Sequence, residues 1–197
     1  MERQCKTIMN YASIKYCDIS NGPGVRTSLF VSGCTHHCKN CFNAMTWDFH
    51  YGEPFTEEVI QKLLDSCKPR YIAGLSLLGG EPMEPENQPA MLDFLRRFRA
   101  AYPDKSVWCY SGYTWEQLTG AVPARCFTPD TAALLGMLDV LVDGEFVQDL
   151  YDIGLRFRGS SNQRLIDVPA TLQSGVVTPW VDEPVFSTHT MEASICL

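Results

Sequence analysis

Read by its apolar positions, the chain alternates short solid runs with stripes at helical spacing. Ser28-Leu29-Phe30-Val31 is a compact apolar run ending at Ser32-Gly33, the pattern of a buried strand. Val59, Ile60, Leu63, Leu64 and Cys67 then recur on one helical face, with Thr56 as expected N-cap, Glu57 and Glu58 in the first turn, and Pro69 as the stop. A second run spans residues 71–78 and stops at Gly79-Gly80-Glu81-Pro82. A second helix, about residues 89–102, turns Met91, Leu92, Leu95 and Phe98 inward and leaves Arg96, Arg97 and Arg99 in solvent. Ser106-Val107-Trp108-Cys109-Tyr110 reads as a third strand ending at Ser111-Gly112. Thr114-Trp115-Glu116-Gln117 has the form of a capping box, and residues 129–137 make another helical segment. Val140-Leu141-Val142 is a fourth strand, ending at Asp143-Gly144. Residues 1–27 have mixed polarity and close in the turn Asn21-Gly22-Pro23-Gly24. Residues 145–163 read as a polar loop, 164–168 as a last short strand, and the chain from residue 169 as an irregular tail with at most one strand.

Strands alternating with helices imply an α/β fold of parallel strands joined by right-handed crossovers. The units are too few for an eight-stranded barrel; a partial, open (β/α) barrel or a short doubly wound sheet fits. At 197 residues the chain is expected to form one domain, residues 1–168, followed by a tail, residues 169–197, without an assigned role. No loop reads as a lid.

Composition narrows the classes. A net charge of −7 argues against a nucleic-acid binder. No apolar run approaches the ~20 residues a membrane helix needs, and residues 1–10 lack the apolar core of a secretory signal. A cytoplasmic protein is expected. Nine cysteines without framework spacing read as free thiols in a reducing compartment.

Three of those cysteines, Cys34, Cys38 and Cys41, stand at CxxxCxxC spacing in one loop. Thiolates are soft ligands for iron–sulfur clusters or zinc. A ferredoxin run would carry a fourth cysteine close by; here the next is Cys67, inside an expected helix. Three thiolates on a cluster leave one iron open, the condition for chemistry rather than scaffolding. The alternative is structural zinc with His36 or His37 as fourth ligand. Placement separates the two. The cysteine loop, Gly79-Gly80-Glu81-Pro82, Ser111-Gly112 and Asp143-Gly144 each follow a strand, and in parallel βα folds the active site gathers at those ends. Gly79 and Gly80 let a ligand approach the backbone; Glu81 adds charge; Ser111 and Asp143 offer oxygen ligands to a ribose or a small cation.

CxxxCxxC after the first strand with GGEP after the second resembles the radical S-adenosylmethionine (SAM) superfamily. Cys34-Thr35-His36-His37-Cys38-Lys39-Asn40-Cys41-Phe42-Asn43, Asn21-Gly22-Pro23-Gly24-Val25-Arg26, Ser111-Gly112-Tyr113-Thr114, Asp139-Val140-Leu141-Val142-Asp143-Gly144 and Arg158-Gly159-Ser160-Ser161-Asn162-Gln163 are similar to segments of the anaerobic ribonucleoside-triphosphate reductase activating family. The resemblance covers roughly residues 10–168. It implies a radical-SAM-type barrel and a [4Fe–4S] cluster on Cys34, Cys38 and Cys41. It implies SAM with its methionine amino group along Gly79, Gly80 and Glu81 and its adenine against Asn40, Cys41 and Phe42. Asp143, with Ser111, resembles the ribose or cation position of related activases. No side chain is implied as the catalyst; the radical comes from SAM at the cluster. The implied partners are an external one-electron reductant of flavodoxin or ferredoxin type and the reductase itself, on which a glycyl radical is installed. The other readings are a radical SAM enzyme of a small metabolite, similar to a 7-carboxy-7-deazaguanine synthase, and a non-catalytic cluster or zinc protein.

Overall fold

A computed structural model describes residues 9–182; Cys5 and Cys196 lie outside the described residues. Among these residues, seven strands form one open sheet: β1 (Asn10–Asp18), β2 (Val25–Val31), β3 (Glu53–Pro54), β4 (Ile72–Gly79), β5 (Ser106–Tyr110), β6 (Val140–Asp143) and β7 (Arg164–Asp167), in the order β3-β1-β2-β4-β5-β6-β7. The four expected strands are its centre, and β2, β4, β5 and β6 run parallel. The edges depart from the all-parallel expectation. β1 is antiparallel to β2 and β3 to β1, while β7 returns antiparallel along β6. The segment between β6 and β7 holds only a short 3₁₀ turn at Gln148–Leu150, so no helix crosses the sheet there and the chain comes back beside the strand it left.

Helices α1 (Glu57–Ser66) and α2 (Gln88–Ala101) pack on one face, joined by short α3 (Trp115–Leu118) and α4 (Thr131–Leu135). Thr56 is the N-cap of α1 but makes no side-chain cap bond, whereas Thr114 and Gln117 form the full capping box of α3. Leu29, Val31, Leu75, Leu77, Val107, Cys109, Leu141 and Ile166 point from the strands into this helix-covered core, against Leu63, Phe94, Leu95 and Phe98. Arg99 is not a solvated outer residue: it donates to the Met137 carbonyl at 2.7 Å and to Asp139 at 2.6 Å, tying α2 to the approach to β6. Beyond β7 the chain forms α5 (Val168–Ser174) rather than an irregular tail. Pro169 sits in the first turn of α5, where its missing N–H has no helical partner to lose. Trp180 then folds back on Trp108, ring centroids 4.9 Å apart. No helix among the described residues is long and apolar enough to cross a membrane.

The other face of the same strands carries Arg26 and Ser28 on β2, Ser76 on β4, Trp108 and Tyr110 on β5, and Val140 and Val142 on β6. Arg26 is fully buried and pairs with no carboxylate among the described residues. It donates to Ser76 Oγ (2.7 Å), Ser106 Oγ (2.9 Å) and the carbonyls of Leu75 (2.7 Å), Ser106 (3.0 Å) and Pro23 (3.3 Å). Burial pulls its pKa down to about 10. This guanidinium stitches the Gly22-Pro23-Gly24 turn to β4 and β5.

Candidate functional site

The cysteine loop begins where β2 ends. Gly33, at φ +94°, donates to the Thr46 carbonyl at 2.8 Å, and Cys34 donates to the Trp47 carbonyl at 3.3 Å, so residues 33–47 are closed at their base. His37 and Asn40 both take left-handed φ, 52° and 59°, which tightens the loop between its cysteines. His37 stacks on Trp47, centroids 4.6 Å apart.

Two buried carboxylates from the segment after β4 grip this loop. Glu81, 1 % exposed, faces His36 Nε2 at 3.1 Å and accepts from the backbone N–H groups of Gly112 at 2.7 Å and Met83 at 2.8 Å. Glu84, fully buried, accepts from the Thr35 N–H at 2.8 Å and the Thr35 hydroxyl at 2.6 Å, and pairs with Arg125 at 2.6 Å. Burial alone pushes the His36 pKa down, but the Glu81 carboxylate outweighs it and the net shift is upward. The backbone closes the same contact: Glu81 N–H donates to the Gly33 carbonyl at 2.8 Å.

This packing changes the reading of the glycine pair. A Cβ on Gly80 would stand 2.6 Å from the Gly33 carbonyl oxygen and 2.9 Å from that of Thr46; one on Gly79, at φ +111°, would meet the β2 backbone. The missing side chains first let β4 press against the base of the cysteine loop.

Cys34, Cys38, Cys41, Asn40, Phe42, Gly79, Gly80, Glu81 and Ser111 all line one cavity of about 620 Å³ at the ends of the parallel strands. Asp143 is not among its lining residues. Its carboxylate is 1 % exposed, accepts from Arg164 Nε at 2.9 Å and from the Trp115 N–H at 2.7 Å, and pairs with the same guanidinium through its second oxygen. Ser111 Oγ accepts from the Tyr113 N–H at 3.1 Å.

Sequence reasoning missed one wall. Residues 144–163 are not a detached polar loop: Phe146, Tyr151, Leu155 and Phe157 line the cavity, and Gln163 folds the segment by accepting from the N–H groups of Gly159 (2.9 Å) and Ser160 (3.1 Å) while donating to the Gly144 carbonyl (3.0 Å). The motif Arg158-Gly159-Ser160-Ser161-Asn162-Gln163 was the available signal. Ser20, Asn21 and Tyr110 also line the cavity and had no signal beyond their nearness to turn and strand ends.

The donor set fits an iron–sulfur cluster. Three thiols of one loop face one cavity, while His36 and Glu81, its other ligand-type side chains, are engaged with each other. No three His, Cys, Asp or Glu side chains among the described residues gather tightly enough to hold a single metal ion. Burial pushes the Cys34 thiol up to about 12 and the Cys38 thiol to about 11, Glu145 adding to the second. A thiolate here would need a compensating metal charge, and metal binding would expel the proton.

Residues 20–166 match the family model described as a 4Fe-4S single cluster domain. Over 157 residues the chain is 43% identical to the anaerobic ribonucleoside-triphosphate reductase-activating protein of Vibrio cholerae, covering 79% of this chain and 96% of that one. The chain belongs to the anaerobic ribonucleoside-triphosphate reductase-activating protein family. The family's Escherichia coli K12 protein is 41% identical over 157 residues, again 79% of this chain and 96% of the relative. Its phage T4 member is 36% identical, covering 80% and 93%. In this chain the cysteine loop and the glycine pair stand at one cavity.

Proposed function

We propose that this protein is a radical SAM activase: it cleaves SAM reductively and removes an α-hydrogen from a glycine of an anaerobic ribonucleoside-triphosphate reductase, leaving a glycyl radical there. One observation carries the reading: the three cysteines of the loop and Gly79-Gly80-Glu81 line the same cavity at the C-terminal ends of β2 and β4. Family membership supports it, since the relatives are named for activating that reductase.

When bound, a [4Fe–4S] cluster on Cys34, Cys38 and Cys41 supplies the single electron, received from a flavodoxin- or ferredoxin-type donor, that splits the SAM sulfonium. The chain's own residues do the positioning. Glu81 and Glu84 fix the loop through His36 and Thr35, so the thiols are held before any ligand arrives. The Glu81 carboxylate already has three partners, so its part toward SAM is negative charge beside the methionine ammonium, with backbone carbonyls at Gly79 and Gly80 as acceptors. Asn40 and Phe42 flank Cys41 where the adenine would rest. Phe146, Tyr151, Leu155 and Phe157 make an apolar wall that keeps water from the reacting carbon. Phe42, Tyr151 and Ile153 remain exposed at 87, 53 and 88 %, which suits closure by a protein partner. The open sheet and its cavity support a partial barrel. Asp143, held by Arg164, acts through the frame of this wall.

The test is electron paramagnetic resonance of the reconstituted protein with its reductase, SAM and a reductant. A stable glycine-centred signal, with deuterium from the glycine α-C–H position appearing in 5′-deoxyadenosine, is expected. Rapid coupled turnover of a free nucleotide or pterin without the reductase would overturn the reading in favour of a metabolite enzyme.

A further inference from the structure

The two buried carboxylates beside the cysteine loop have different partners. Glu81 spends its oxygens on two backbone N–H groups and His36. Glu84, with no exposure to solvent, is shared between the loop and a guanidinium. Its Oε1 accepts from the Thr35 N–H at 2.8 Å and from the Thr35 hydroxyl at 2.6 Å, and its Oε2 accepts from Arg125 Nη1 at 2.6 Å. Arg125 Nη1 also donates to Thr35 Oγ1 at 3.1 Å. Carboxylate, hydroxyl and guanidinium therefore close a ring on the residue that follows Cys34.

Arg125 is carried there by the connector between α3 and α4, and that connector is anchored. The carbonyl of the next residue, Cys126, accepts from Gln88 Nε2 at 2.6 Å and from the Thr131 hydroxyl at 2.9 Å. Gln88 is itself fully buried at the start of α2. The second nitrogen of Arg125 reaches Glu86 at 2.9 Å, and the side chain stays 42 % exposed. Among the described residues Arg125 is the one Lys or Arg that pairs with Glu84. A buried carboxylate without a counter-charge is costly, so Arg125 supplies the charge that lets Glu84 sit beneath the loop.

That balance matters because of what the loop would carry. Three thiolates bring negative charge to a cluster, and the electron it accepts adds more, so nearby charges set how readily it is reduced. A carboxylate close by opposes reduction and a guanidinium favours it, and both act at longer range in a protein interior than in water.

We propose that Arg125 is a positioning residue for the cluster: it cancels the charge of Glu84 beside Cys34, so that the loop is gripped by a carboxylate without the cluster becoming harder to reduce. The inference rests on the reading that Cys34, Cys38 and Cys41 hold a [4Fe–4S] cluster.

The experiment measures the midpoint potential of the reconstituted cluster, without SAM or reductase, by redox titration followed by electron paramagnetic resonance. Arg125→Gln is expected to shift it negative, the ratio of reduced to oxidised cluster at a fixed potential falling severalfold. Glu84→Gln, which keeps an amide oxygen for the Thr35 N–H, is expected to shift it positive. The double variant should return close to wild type, and Arg125→Lys, which keeps the charge, should stay there. A bracket that only held the loop in shape would give another pattern, with both single variants moving the same way and the double variant further still. That pattern, or potentials that do not move, would overturn the proposal. Should Arg125→Gln take up no iron, Glu84→Gln and the double variant decide the matter by the same signs. Failure of the cluster reading is separable, because the wild-type protein would then show no titrating iron–sulfur signal.

Discussion

The two faces of the sheet are built from the same strands and obey different rules. Toward the helices β4 presents Leu75 and Leu77; one residue away, toward the cavity side, it presents Ser76 and Leu78. β2 presents Leu29 and Val31 on one side and Arg26 and Ser28 on the other. The helix face is held by apolar area removed from water. The cavity face is held by directed hydrogen bonds around a buried guanidinium and two buried carboxylates. Packing tolerates approximate fits, whereas a directed network loses a specific bond with each change. The face that does chemistry is therefore the one on which small substitutions should have specific rather than graded effects.

Two cysteines give the widest contrast. Cys38→Ala, in the cavity loop, is expected to abolish the broad visible absorbance of the reconstituted protein and its SAM cleavage together. Cys67→Ala, at the fully buried C-cap of α1, should retain iron and cost about 1 kcal/mol of stability. Iron analysis and urea unfolding check both, and full iron in Cys38→Ala would remove that thiol from the site.

Adjacent residues of β4 come next. Leu77→Ala should lower unfolding free energy by roughly 2–5 kcal/mol with SAM affinity retained in the folded fraction. Ser76→Ala should cost less, about 1–3 kcal/mol, because it leaves the Arg26 guanidinium one acceptor short. It should also loosen Asn21, which hydrogen exchange at residues 20–22 would report. Equal losses with no local change at Asn21 would erase the distinction between the faces.

Gly80→Ala tests where the two sides of the site touch. The added methyl meets backbone oxygens of Gly33 and Thr46 rather than open space, so overpacking of about 1–3 kcal/mol is expected. Iron incorporation should fall severalfold along with SAM affinity. Weakened SAM binding at full iron loading would show instead that the methyl intrudes on the ligand alone.

The smallest effect lies at the rim. The hydrogen bond from Arg164 holds Glu116 well below the usual carboxylate range, at about 2. Its contribution is present above the ordinary glutamate range and is lost as pH falls through about 2. Glu116→Gln should flatten the acid limb of the stability curve between about pH 4.5 and 2. The change should be slight, because the pair is about 40 % exposed. An unchanged acid limb would mean that the pair adds nothing.

What could be read in the sequence follows the same division. The central strands were legible because β2, β4, β5 and β6 are short apolar runs closed by glycine. α1 and α2 were legible from helical spacing. β1 was not: Ser13 and Lys15 flank Ile14 on a partly exposed strand next to the edge, so no clean alternation marks it. α5 was hidden by Pro169, which reads as a breaker yet sits where a helix accepts proline. In the site, spacing singled out Cys34, Cys38 and Cys41. The links that hold them join Thr35 to Glu84 and His36 to Glu81, 49 and 45 positions apart, and no local pattern encodes such pairs. Asp143 stood out by position after a strand, but its partner Arg164 comes 21 residues later.

The antiparallel borders have a consequence for how the molecule meets its own copies. An open sheet exposes backbone N–H and C=O groups at its rims, a template for strand addition by another chain. Here one rim ends in β3, two residues long and closed by Pro54, beside a β1 that is bulged between Lys15 and Asp18 and bears Cys17 at φ 55°. At the other rim the chain bridges Ile166 to Pro179, and the Trp180 N–H donates to the Leu165 carbonyl at 2.8 Å, covering β7. Among the described residues both rims carry a proline, which has no N–H to offer an added strand, so neither presents a full row of donors for strand addition.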